Sequence, residues 1–115
     1  MKLRVKPITG LIRSQAHIDR ILRSQGFVYR SGLYNIRIQD STSGNVYQLQ
    51  IPALPHNSQA QEQPFIRLGE PSIHCNRGLS RFQAQNRDIP APVLDAANDK
   101  LAEIVSYLRS HPTVT

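Results

Sequence analysis

The sequence predicts an α+β fold: two layers, with a mostly antiparallel sheet of four to six strands and two helices packed on one of its faces. Three observations carry this. Residues 34–39 and 47–51 alternate apolar and polar side chains on either side of a turn-rich segment. Two other segments, near the two ends of the chain, repeat their apolar residues with a helical period. The connections between candidate strands are too short to hold crossover helices, so neighbouring strands must run antiparallel.

Residues 2–6 alternate strictly, with Leu3 and Val5 on one side and Lys2, Arg4 and Lys6 on the other, as a half-buried strand would. Pro7 and Gly10 end that pattern. A helix is expected over 14–25. Ser14 is its N-cap, Ile18, Ile21 and Leu22 form its apolar stripe, and Gly26 supplies the left-handed residue that closes it. Phe27, Val28 and Tyr29 make a short strand stopped by Ser31 and Gly32. The hairpin follows. Tyr34, Ile36 and Ile38 share a face, as do Tyr47, Leu49 and Ile51, around the turn at 40–45.

Residues 52–64, rich in Pro, Gln, Ser and Asn without a period, read as a surface loop. Residues 65–68 form a further strand ending at Gly69-Glu70-Pro71, and Ile73-His74-Cys75 another short one. A turn is expected at 76–78 and a candidate edge strand at 81–83. The last element is a helix with Pro92 in its first turn and Leu94, Ala97, Leu101, Ile104, Val105 and Leu108 along one side. Pro112 stops it, leaving 112–115 as a frayed tail.

At 115 residues the chain fits a single domain spanning 1–115, long enough to bury a core without metals or disulfides. One cysteine, Cys75, forms no internal disulfide and points to a reducing compartment, the cytoplasm. A basic start resembles the beginning of a signal peptide, but Pro7, Gly10 and Arg13 interrupt any apolar central region. No apolar run approaches the roughly 20 residues that a membrane-spanning helix needs.

Fourteen basic residues oppose eight acidic ones, giving a net charge of +6. The imbalance is local. Residues 1–50 hold eight basic residues against two acidic ones, while residues 51–115 are neutral. Eleven of the fourteen cations are arginine, the side chain suited to bidentate phosphate binding and to stacking on bases.

The hairpin ending in Gln48-Leu49-Gln50-Ile51-Pro52, the run Ile66-Arg67-Leu68-Gly69-Glu70-Pro71 after a variable loop, and the amphipathic helix after Ile89-Pro90 together resemble the YugN-like family of small bacterial proteins. The resemblance covers most of the chain in the order of its elements. It implies a bacterial protein but no activity, cofactor or site residue, since the family has no established function. This chain also differs in being strongly basic where those proteins tend to be acidic.

Candidate chemistry narrows quickly. Arg4, Lys6, Arg13, Arg20, Arg23, Arg30 and Arg37 are candidate contacts for nucleic acid or another anionic partner, with Tyr29 and Tyr34 as stacking platforms. Against this, the same arginines would serve as an ordinary solvated surface, and Tyr34 shares the apolar face of Ile36 and Ile38. Cys75 has His74 beside it, but sequence neighbours on a strand point to opposite faces, which is poor geometry for an activated nucleophile. His17, His56, His74, His111 and Cys75 show no metal-ligand spacing. The acids are dispersed, and Asp95, Asp99 and Glu103 form a solvated helix face. No catalytic, cofactor or metal residues are therefore assigned. The expectation is a non-enzymatic binding or interaction module, with non-specific nucleic-acid binding through the basic N-terminal half as the alternative. The polar hairpin face (Asn35, Arg37, Gln39, Val46, Gln48, Gln50) is also a candidate surface for a homodimer.

Overall fold

A computed structural model of the chain describes residues 3–42, 44–56, 64–75 and 89–110. Their order is β1 (Ile12–Ser14), α1 (Gln15–Ser24), β2 (Val28–Arg30), β3 (Leu33–Gln39), β4 (Val46–His56), β5 (Phe65–Leu68), β6 (Ser72–Cys75) and α2 (Ala91–Ser110). The strands form one six-stranded sheet ordered β1-β5-β4-β3-β2, with β6 also on β4. Every pairing is antiparallel. The α+β fold expected from the sequence is the fold observed.

The N-terminal segment differs from expectation. Residues 3–5 join no strand and 6–10 are turns. The Val5 carbonyl accepts from the Ile8 and Thr9 N–H groups at 3.3 and 3.0 Å. Leu3 and Val5 are half-buried while Arg4 and Lys6 are exposed, so the period of two records burial without a ladder. Ile8 seals the core from this turn, fully buried. The first strand comes later, where Ile12, Arg13 and Ser14 pair with Arg67, Ile66 and Phe65.

Local chemistry shapes α1 as expected. Ser14 Oγ accepts from the His17 N–H at 3.2 Å, capping the helix. At the other end Phe27 N–H reaches the Leu22 carbonyl and Gly26 N–H the Arg23 carbonyl, both at 3.0 Å, with Gly26 at φ 98°. This paired closure satisfies two terminal carbonyls and needs a residue tolerant of positive φ. The chain then reverses between β2 and β3 through Ser31 (φ 51°) and Gly32 (φ 83°), the two positive φ values of a tight hairpin turn.

β4 is longer than the sequence reading allowed, because residues 52–56 belong to it and not to a loop. Proline usually ends a central strand, since it cannot donate to the ladder. Here both prolines fall in gaps. The Pro52 carbonyl accepts from Gly69 N–H at 2.8 Å, so Pro52 faces the break between β5 and β6. Ala53 N–H turns the other way, to the Gly32 carbonyl at 2.9 Å, and Pro55 shares its direction just past the start of β3. Between Gln50 and Ala53 of β4 the partner runs from Ser72 back to Leu68, one residue more, so 69–71 form a bulge. The remainder of the expected loop (57–63), the turn at 76–78, the edge strand at 81–83 and the tail at 112–115 lie outside the described residues.

One sheet face is apolar: Tyr34, Tyr47, Leu49, Ile51, Ala53, Leu68 and Ile73 are buried on it. Both helices press their stripes into the same core, Ile18, Ile21 and Leu22 from α1 and Val93, Leu94, Ala97, Leu101, Ile104, Val105 and Leu108 from α2. Burying this apolar surface is the main force that holds the layers together. The opposite face of the sheet carries no helix among the described residues.

Candidate functional site

The seven predicted cations do not come together. Arg13 turns inward from β1, and its Nε donates to the Leu108 carbonyl at 3.0 Å, while Nη1 donates to its own strand at Ile12 at 2.7 Å. It thus satisfies an end carbonyl of α2, where the helix dipole favours a cation. Arg23 is held on α1 by Asp19, its Nε lying 2.9 Å from each carboxylate oxygen. The same carboxylate accepts from the Tyr34 hydroxyl at 2.8 Å, tying helix to sheet. The Arg23 hydrogen bond, with that of Tyr34, holds Asp19 below the usual carboxylate range. Burial, reinforced by the Asp19 carboxylate, pushes the Tyr34 hydroxyl well above the usual tyrosine range.

Tyr34 is therefore part of the core and not a stacking platform. Tyr29 tilts against it, ring centroids 5.0 Å apart, and is 45% exposed at the sheet edge. Arg20 points away from the core on α1, and Arg4 and Lys6 are exposed on the N-terminal turn, where Arg4 N–H donates to Asn98 Oδ1 of α2 at 2.7 Å. These residues sit with the helices.

Arg30 and Arg37 go to the other side. Because side chains alternate along a strand, the register places Val28, Arg30, Leu33, Asn35, Arg37, Gln48, Gln50, Pro52 and Leu54 on the open face. The same alternation adds Arg67 of β5 and His74 of β6. Arg30, Arg37, Arg67 and His74 are all exposed. The sequence reading missed Arg67 because it lies in the electrically neutral half; the alternation of Ile66 and Leu68 around it was the available signal.

Rows across the sheet define the surface. Arg37, Gln48 and His74 form one row, and Val28, Asn35, Gln50 and Ser72 the next. Arg30, Leu33 and Pro52 follow, then Leu54, Arg67 and Ile12. At about 3.4 Å per residue and about 4.8 Å per strand, the backbones of the three arginines stand roughly 14–22 Å apart. Amides and small apolar groups fill the space between them. Val28 is 59% exposed and Leu54 39%. No strand position on this face holds a carboxylate among the described residues. The described acids are elsewhere: Asp19, Asp95, Asp99 and Glu103 on the helices, Asp40 in the hairpin turn and Glu70 in the bulge.

Other chemistry finds little support. Among the described residues no group of three or more His, Cys, Asp or Glu is placed to hold a metal ion. His74 Nε2 lies 3.1 Å from Ser72 Oγ on the open face. The Cys75 thiol lies outside the described side chains. No helix among the described residues is long and apolar enough to cross a membrane.

No protein-family description matches the chain, and no curated protein sequence matches it. Among solved structures it is similar to YugN, an uncharacterized conserved protein from Geobacillus kaustophilus, with a TM-score of 0.70, 16% sequence identity and 87% of each chain covered. At that identity the likeness is one of fold, and it bears out at that level the YugN-like resemblance read from the hairpin, the Ile66–Pro71 run and the last helix.

Proposed function

We propose that the protein is a non-enzymatic binding module, working in the cytoplasm, that holds an anionic partner on the open face of its sheet. The observation that carries this reading is charge segregation. Among the described residues Arg30, Arg37 and Arg67 stand on one face with no strand-borne carboxylate beside them, while the helix layer mixes both signs. A face of one sign attracts and steers a partner of the other. The spacing of the arginines suits an extended partner, because their backbones spread over roughly 14–22 Å across four strands.

Symmetry bears on self-association. A two-fold dimer through the open face would set these arginines against their own copies, which costs free energy unless anions intervene. A homodimer is better served by the exposed edge of β2, whose three residues are all solvent-accessible.

Retention on heparin and on immobilised polyglutamate tests the module itself. Wild-type protein is expected to elute late from at least one of them. Arg30→Gln/Arg37→Gln/Arg67→Gln is expected to elute early, and Arg4→Gln/Arg20→Gln/Arg109→Gln, which removes the same charge from the helix side, close to wild type. Equal shifts for both triple variants would show diffuse charge attraction and reject the open face as the site.

A further inference from the structure

We infer that the anionic partner of the open face is single-stranded nucleic acid laid across the strands. The inference rests on the binding-module reading and adds the class of ligand. Charge alone does not choose between nucleic acid and an acidic protein; what lies between the charges does. Asn35, Gln48 and Gln50 form two adjacent rows of side-chain amides in the middle of the arginines. Gln48 and Gln50 each offer both a donor and an acceptor, the pairing that reads base edges, while Asn35 lies beside them with its Nδ2 donating to the Leu33 carbonyl at 3.2 Å and its Oδ1 buried. Val28 and Leu54, the exposed apolar residues of this face, flank those rows at 59% and 39% exposure, with Leu33 and Pro52 half-buried beside them. An unpaired base presents an apolar plane and hydrogen-bonding edges together, so it matches both kinds of surface at once.

The rival ligands match less of it. An acidic peptide supplies carboxylates for the arginines and backbone groups for the amides, but its Asp and Glu side chains bring no apolar plane to the exposed Val28 and Leu54. A duplex hides its base planes in the stack, and a flat sheet face presents no helix or ribbon to enter a groove. Among the described residues the face holds one Phe, Tyr or Trp, the half-buried Phe65, besides the His74 imidazole, so binding is expected to lean on phosphate contacts and amide hydrogen bonds more than on stacking. Such binding is salt-dependent and tolerant of sequence.

The test is fluorescence anisotropy with a labelled oligonucleotide of about 12 bases, the matching duplex and polyglutamate, each at about 50 and 200 mM salt. Wild-type protein is expected to bind the single strand most tightly. R30Q/R37Q/R67Q should lower that affinity at least about tenfold at low salt and flatten the slope of log K against log salt by about 2, from roughly 0.7 per lost phosphate contact. Q48A/Q50A should weaken binding while leaving the slope alone, and R4Q/R20Q/R109Q should stay within about twofold of wild type, with circular dichroism confirming that each variant is folded. Polyglutamate bound in an R30Q/R37Q/R67Q-sensitive way without oligonucleotide binding would overturn this inference and leave the binding module standing. Duplex binding as tight as single-strand binding, or no effect of Q48A/Q50A, would overturn it too.

Discussion

Asp19 shows how one carboxylate can organise a corner of the molecule. It accepts from Arg23 on its own helix and from Tyr34 on β3, so it links the two layers. The exposed ion pair adds little by itself, because solvent screens it. The Tyr34 hydroxyl is different, being buried with its single proton directed at a carboxylate. Its folded-state pKa is raised, so the folded protein keeps a proton that the unfolded chain gives up near pH 10. Stability from this group is full below about pH 10 and falls as pH rises beyond it. Denaturant titrations at rising pH should show the alkaline loss in wild type and a clearly smaller loss in Tyr34→Phe. Identical slopes for the two proteins would show that Tyr34 is not the group responsible. Single residues also mark the limits of reading the sequence. Ser14 and Gly26 were legible as caps because capping chemistry is local. Arg13 was not, since its partner at Leu108 lies 95 residues away.

At the scale of elements, α1, the hairpin as far as Ile51, β5 and α2 were legible, each declared by its own residues in the sequence. Three others were not. Residues 2–6 alternate as a strand does, but their turn closes on the Val5 carbonyl before any ladder partner appears. β1 is only three residues long, too short to show a period, and exists because β5 pairs with it. The end of β4 was hidden by its prolines, which are harmless only because each ring nitrogen meets a gap: Pro52 the bulge at 69–71, Pro55 the space beyond β3. Placement should therefore matter more than composition. Pro55→Ala is expected to change unfolding free energy by less than about 1 kcal/mol, since it removes no ladder bond. Leu54→Pro, whose nitrogen faces β5, should cost about 1–3 kcal/mol by orphaning an acceptor there. Chemical denaturation of both variants measures the difference, and an equal cost for the two would contradict this account of β4.

At the scale of the whole molecule the sequence located the charge along the chain, and the fold relocated it in space. Of the N-terminal cations, Arg13 and Arg23 are occupied within the structure, and Arg4, Lys6 and Arg20 stay on the helix side. Among the described ones only Arg30 and Arg37 reach the open face, where Arg67 joins them from the half of the chain that looked neutral. Counting charges by halves could not show this, because sheet register, not chain position, decides which cations become neighbours. The central claim is that this face is the binding surface. Amide chemical-shift mapping by NMR during titration with a short single-stranded oligonucleotide tests it most directly. The largest shifts are expected to cluster at Arg30, Asn35, Arg37, Gln48, Gln50 and Arg67, across four neighbouring strands of the sheet. Shifts concentrated instead on Arg20, Arg23 and the exposed side of α2 would contradict it.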